Sequence, residues 1–171
     1  MASVKGIVCF LLFSLFGIAA VKGQEGHEMT LEEALSINPR KTIVDTLISL
    51  SKQYIGVPYR YAGTDSTGFD CSGYMQHIFQ KILIELPHSS SMIANQGYKV
   101  EKEQLSVGDI VLFTGRNAKS GKVGHVGLIT HIEGDEIYFI HASTSSGVRE
   151  DAVYGNSYFS PRLLGFRSWE W

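Results

Sequence analysis

The sequence has little cysteine, no basic excess and no apolar run of bilayer-spanning length. Fifteen Lys and Arg against 17 Asp and Glu leave nothing to grip a polyanion, so a nucleic-acid binder is excluded. Two cysteines in 171 residues are too few for a disulfide scaffold. A net charge of −2 with 44% hydrophobic residues is not the composition of a disordered chain. No repeat, low-complexity tract or composition shift marks a second domain.

What is present begins with a leader. Lys5 precedes an uncharged, mostly apolar stretch, Gly6–Ala20, and a small-residue exit through Gly23. That order reads as a secretory signal peptide spanning residues 1–23, with cleavage after Gly23. The rival reading, a membrane anchor, falls short of the roughly 20 apolar residues a span needs. Cys9 follows bulky Ile7-Val8 and does not look like a lipid-attachment cysteine. Removing the leader discards Lys5, Lys22 and Cys9, so the mature chain is more acidic and keeps one cysteine, Cys71. No stable membrane span is expected after cleavage, and export to the periplasm, envelope or medium is expected.

Residues 24–40 read as a polar leader and a short helix, with Thr30 and Glu33 as a capping box. Residues 41–171 read as the functional domain. Helical spacing runs from Ile43 to Ile55, with Asn38-Pro39 separating the two helices and Thr42 a candidate cap. A loop rich in Gly, Thr, Ser and Asp, Tyr59–Phe69, leads to a helix that opens at Cys71 and continues to Ile82. Ser89–Ser91 read as caps for a short helix at Met92–Gln96. Strand patterns follow at 109–114, 125–133, 136–142 and 163–169. Helices first and strands second predict an α+β fold with an antiparallel sheet.

A lone thiol has three readings: a buried inert residue, an intermolecular bridge or a nucleophile. Gly68-Phe69-Asp70-Cys71-Ser72-Gly73 puts it where a loop becomes a helix. Unpaired N–H groups and the helix dipole there favour thiolate. Small Ser72 and Gly73 leave room for a substrate carbonyl to approach the N–H of Cys71 as an oxyanion donor. Asp70 reads as an N-cap.

Of six histidines, His27 lies in the leader, His88 in a turn, and His77 six residues along the Cys71 helix, read as a surface position. His125 and His131 sit about 20 Å apart on one strand, at ~3.3 Å per residue, so they cannot share a metal ion. His131 reads as a strand-end residue, and no metal or other cofactor is indicated. His125 and His141 become diagonal neighbours on a hairpin turning near Gly134. A regular two-residue Gly134-Asp135 loop would put them on opposite faces, so an odd-length loop or one bulge is expected. The resulting chemistry is a cysteine nucleophile, a histidine base and a third polar group that orients the imidazole.

The motifs Tyr59-Arg60-Tyr61-Ala62-Gly63, Gly68–Gly73, Leu105–Asp109, Gly124-His125-Val126-Gly127 and Ile140-His141-Ala142 resemble the NlpC/P60 cell-wall peptidases. The likeness runs from about Leu47 to Trp169, with five separated motifs in the family's order. It implies a papain-like fold with the cysteine at a helix start and the histidines on the sheet. Carried over, Cys71 is the nucleophile, His125 the general base and His141 the orienting residue. Tyr59 matches the tyrosine beside the oxyanion site, though a packing role stays open. Asp70 matches an acid that receives the free amine of a stem peptide, with Ser72 beside it. The chain departs from the family at Ala62, where a second glycine is usual, and at His88, where many members have arginine; that exchange would alter recognition of substrate charge.

The resemblance implies an exported endopeptidase acting on peptidoglycan stem peptides, with γ-D-glutamyl–diaminopimelate the first expected bond. A D-alanyl–diaminopimelate crosslink, or amidase or acyltransferase chemistry on the same Cys-His frame, is the alternative. A non-catalytic wall-binding module is a third reading. No partner beyond peptidoglycan is implied, and a monomer is expected.

Overall fold

The computed structural model describes residues 38–169. The expected signal peptide, Cys9, and the expected leader helix with its capping box lie outside the described residues. Helix α1 spans Pro39–Lys52, α2 Cys71–Gln80 and α3 Ser90–Ile93. The strands are β1 (Thr64–Asp65), β2 (Gly68–Phe69), β3 (Tyr98–Val100), β4 (Ile110–Thr114), β5 (Val123–Glu133), β6 (Glu136–Ser143), β7 (Gly147–Ala152) and β8 (Leu163–Ser168). β1 and β2 form a small hairpin. The other six form one sheet in the order β3-β8-β4-β5-β6-β7, antiparallel throughout. This is the expected α+β architecture.

Several local readings change. Asn38-Pro39 opens α1; the helix expected before it lies outside the described residues. The Asn38 side chain accepts from the Lys41 N–H and Pro39 occupies the first turn, where its missing N–H costs nothing, so Thr42 is not the cap. The stretch read as loop before Cys71 contains the β1–β2 hairpin. Strands β3 and β7 carry too few apolar residues to announce themselves. β7 reads Gly-Val-Arg-Glu-Asp-Ala, and it is held at the sheet edge by regular pairing with β6.

Alternation along the central strands divides the core between two faces. Ile110 and Leu112 of β4, Val126 and Leu128 of β5, and Ile140 and Ala142 of β6 pack with Tyr74, Met75, Ile78 and Phe79 of α2. Val111, Phe113, Ile129, Ile137 and Phe139 point the other way and pack with Phe159 and Phe166. A fully buried aliphatic or aromatic side chain contributes about 1.5–3 kcal/mol, so both layers hold the sheet rigidly beneath the start of α2. The Tyr74 hydroxyl donates to the Ser51 carbonyl at 2.8 Å, tying α2 to the C-terminal turn of α1.

The β5–β6 hairpin turns through two residues, Gly134 and Asp135, with Glu133 opposite Glu136. The required irregularity is a bulge: Ile129 pairs with Phe139, but His131 pairs with Tyr138, leaving Thr130 extra. Its hydroxyl donates to the Tyr138 carbonyl at 3.3 Å. One added residue on β5 shifts the side-chain parity beyond it. His125 and His141 thereby share the face that carries Phe139 and Phe159.

Candidate active site

Asp70 ends the loop in an extended conformation and caps α2, its Oδ1 accepting from the Gly73 N–H at 2.7 Å. Cys71 is therefore the first residue of the helix. Its sulfur lies 3.2 Å from the Ser90 hydroxyl and receives the backbone N–H groups of Ser72 and Val126. Of Ser89–Ser91, all read as caps, Ser89 does hold the cap position of α3, though without a capping bond, whereas Ser90 turns toward the thiol. That contact joins residues 19 apart in sequence, and no local pattern announces it.

The expected bias to thiolate does not hold at rest. Burial pushes the Cys71 thiol up, and neighbouring Asp70 adds to it, against the lowering by Ser90, Ser72 and Val126. Loss of water outweighs the helix-start dipoles. His125 is likewise held well below its ordinary value by burial and by the His141 ring beside it. Thiol and imidazole are thus both neutral at rest.

His125 Nε2 lies 2.9 Å from His141 Nδ1, the two rings meeting edge to face. His141 Nε2 lies 2.9 Å from Asp151 Oδ2, and Asp151 Oδ1 accepts from Arg149 at 2.7 Å. Phe159 stacks on His125 and Phe139 on His141, fixing both ring planes. His141 pairs directly with Arg149 across β6–β7, so Asp151, two residues on, reaches it diagonally. Sequence reading missed Asp151 because the strand that carries it has no apolar alternation.

A cavity of about 540 Å³ is lined by Tyr59, Cys71, His125, His141, Asp151 and Phe159, with Arg116 and Arg149 also on its wall. Half-buried Tyr59 keeps its proton: burial pushes its hydroxyl up, with the charges of Cys71 and Asp70 adding to the effect, so it faces the cavity as a donor. Asp70 and Ser72 are not among the lining residues. The Ser72 hydroxyl donates to Asp70 Oδ1, the Ala62 N–H donates to Oδ2, and His88 Nε2 sits 3.1 and 3.0 Å from the two oxygens. His88, expected to alter recognition of substrate charge, instead meets an internal carboxylate. Gly73 leaves no free space for a substrate carbonyl, because a Cβ there would lie 2.0 Å from the Gly63 carbonyl oxygen. His77 is half-buried, with Nε2 bonded to the Tyr54 hydroxyl at 2.8 Å, so it is not the surface residue expected. His131 stacks on Tyr138 at the far end of β5.

A thiol at a helix start and a histidine pair on an antiparallel sheet, meeting in one cavity, define a papain-like arrangement able to carry out nucleophilic acyl chemistry. The NlpC/P60 family profile matches residues 56–168, and the chain belongs to that family. It is 39% identical over 84 residues to a gamma-D-glutamyl-L-lysine dipeptidyl-peptidase of Bacillus cereus, covering 49% of this chain and 25% of that protein. It is 39% identical over 110 residues to the murein DD-endopeptidase MepS/murein LD-carboxypeptidase of Escherichia coli, covering 61% of this chain and 54% of that protein. The crystal structure of an NlpC/P60 family protein from Bacillus cereus superposes with a TM-score of 0.66 at 30% identity, covering 74% of this chain and 40% of that one. The chain thus spans between a quarter and about half the length of these curated relatives.

Proposed function

We propose that this protein is an exported cysteine endopeptidase that hydrolyses amide bonds in peptidoglycan stem peptides. The observation that carries the reading is the single cavity holding Cys71, His125 and His141. The substrate carbonyl enters beside the neutral thiol. Cys71 passes its proton to His125 as sulfur attacks the carbonyl carbon, and the tetrahedral oxyanion takes a hydrogen bond from Tyr59. Collapse breaks the C–N bond, and His125 returns the proton to the departing amine. The thioester is then attacked by water with His125 as base, which releases the acid and restores the thiol. The Ser90 hydroxyl and the N–H groups of Ser72 and Val126 hold the sulfur while it is anionic.

The favoured bond is γ-D-glutamyl–diaminopimelate, supported by the dipeptidyl-peptidase relative. A D-alanyl–diaminopimelate crosslink is the second reading, supported by the longer match to the murein DD-endopeptidase. Digestion of purified peptidoglycan, with amine release and muropeptide masses as readouts, separates them. Wild type is expected to release new amines and Cys71→Ala to release none; turnover surviving in Cys71→Ala would remove the sulfur from the mechanism. Masses showing no stem-peptide cleavage would overturn the proposal itself. The export reading rests on the Lys5–Gly23 leader pattern. N-terminal sequencing of protein recovered outside the cytoplasm is expected to begin at Gln24, and retention of Met1 would contradict it.

A further inference from the structure

The mechanism needs an unprotonated nitrogen on His125, and both histidines are neutral imidazoles with two possible tautomers each. The hydrogen-bond chain resolves this ambiguity from its far end. We propose that Asp151 is a positioning residue that sets the tautomers of His141 and His125 together, making Nδ1 of His125 the bare, basic nitrogen. The inference rests on the proposed thiol mechanism for its functional consequence, but not for its geometry.

An ionised carboxylate only accepts, so His141 Nε2, 2.9 Å from Asp151 Oδ2, carries a hydrogen. A neutral His141 then has a bare Nδ1. That nitrogen lies 2.9 Å from His125 Nε2, which must donate to it. His125 is therefore protonated at Nε2 and bare at Nδ1. When His125 takes the thiol proton at Nδ1, its Nε2–H already points at an acceptor backed by a buried carboxylate, so the imidazolium is stabilised without rearrangement.

Arg149 completes the device. It donates to Asp151 Oδ1 at 2.7 Å, with the Asn156 amide on the same oxygen at 3.5 Å. Both are donors, so they fix which carboxylate oxygen is left for His141. The guanidinium also draws on the Asp151 charge and works with burial to keep His141 neutral, whereas the carboxylate alone would favour a second proton. A doubly protonated His141 would donate from Nδ1 and force His125 into the wrong tautomer. The titratable groups on the cavity wall with the pair are Tyr59, Cys71, Arg116, Arg149, Asp151 and Tyr158, and Asn156 adds an amide from the turn after β7. Phe139 and Phe159 occupy ring faces.

This arrangement gives an unusual expectation for Asp151→Asn. Arg149 and Asn156 hold the new amide's oxygen, so its NH₂ group meets His141 Nε2. His141 must then accept at Nε2 and donate from Nδ1, and His125 becomes protonated on its basic nitrogen. Activity should fall on the order of 10³- to 10⁴-fold, the scale of a wrong-tautomer triad. Adding Arg149→Ala frees the amide to rotate and offer its oxygen to His141. The double variant should therefore regain at least an order of magnitude over Asp151→Asn alone, although it lacks one more native contact.

The experiment combines peptidoglycan turnover with nitrogen-15 NMR of the imidazoles. Wild type is expected to show hydrogen on Nε2 and a bare Nδ1 on both rings, and Asp151→Asn to show the reverse. The wild-type spectrum decides the tautomers even where a variant fails to fold. Nδ1-protonated His125 in wild type, or Asp151→Asn within a few-fold of wild-type turnover, would overturn the inference. So would a double variant no better than the single one. Expected tautomers in a protein inert on peptidoglycan would uphold the positioning role and sink the proposed function alone.

Discussion

Replacing Ser90 with alanine removes one hydroxyl 3.2 Å from the Cys71 sulfur and leaves the two backbone N–H groups in place. A hydrogen bond to a charged partner contributes about 1.5–3 kcal/mol, and sulfur as a weak acceptor belongs at the lower end. With about 1.4 kcal/mol per pKa unit, the thiol should rise by about one unit from a value burial has already raised. The thiolate fraction below that transition then drops about tenfold. Each remaining thiolate is more nucleophilic, with a Brønsted slope of about 0.4–0.5, which returns about threefold, so the net loss in rate is about threefold. The assay is reaction with a small disulfide reagent at several fixed pH values, followed by intact mass, with melting curves to confirm the fold. The rate should climb steadily across the neutral range in both proteins, as it must for a buried thiol that is neutral at rest. A variant that reacts as fast as wild type would refute the role given to Ser90. A wild-type rate that levels off below neutrality would refute the neutral resting thiol.

Two further expectations concern stability. His125 and His141 are held below the ordinary 6.5, so at acid pH the unfolded chain binds protons that the native chain cannot. Stability should be level between about pH 6.5 and about 8 and fall beneath about 6.5; melting temperatures of His125→Gln should fall less steeply with acid than those of wild type, and equal slopes would contradict the depressed values. Ala62 has φ of 56°, so the departure from the family's glycine lands on a left-handed residue. The methyl costs about 1–2 kcal/mol there, partly offset by glycine's greater freedom when unfolded, so Ala62→Gly should stabilise by up to about 1 kcal/mol. A lowered melting temperature would contradict that assignment of strain.

The parts of the site legible in the sequence are those specified by neighbours along the chain. Cys71 was placed at a helix start by Asp70, Ser72 and Gly73, and strand parity alone demanded an irregularity between His125 and His141. What escaped was tertiary. Ser90 reads as a cap until the fold brings α3 against the thiol. Asp151 sits in a charged hexapeptide that becomes a strand only because β6 offers it an edge. The balance between helix dipole and desolvation at Cys71 depends on how deeply the sulfur is buried, and no spacing encodes depth. The Asp70 carboxylate shows the reverse: its capping role is local and was legible, whereas its contact with His88 needed the folded loop.

Thr130 has a consequence for the family's variation. The bulge makes the two histidines' agreement a matter of odd and even. A single insertion or deletion within either strand between them inverts one histidine relative to the other unless the bulge is lost with it, while paired changes pass unnoticed. Length differences among relatives in this hairpin should therefore come in twos, or coincide with gain or loss of the bulge, with single steps confined to the tip at Gly134-Asp135. A residue that touches neither substrate nor base acts as a counter-check on the reading frame of the active site.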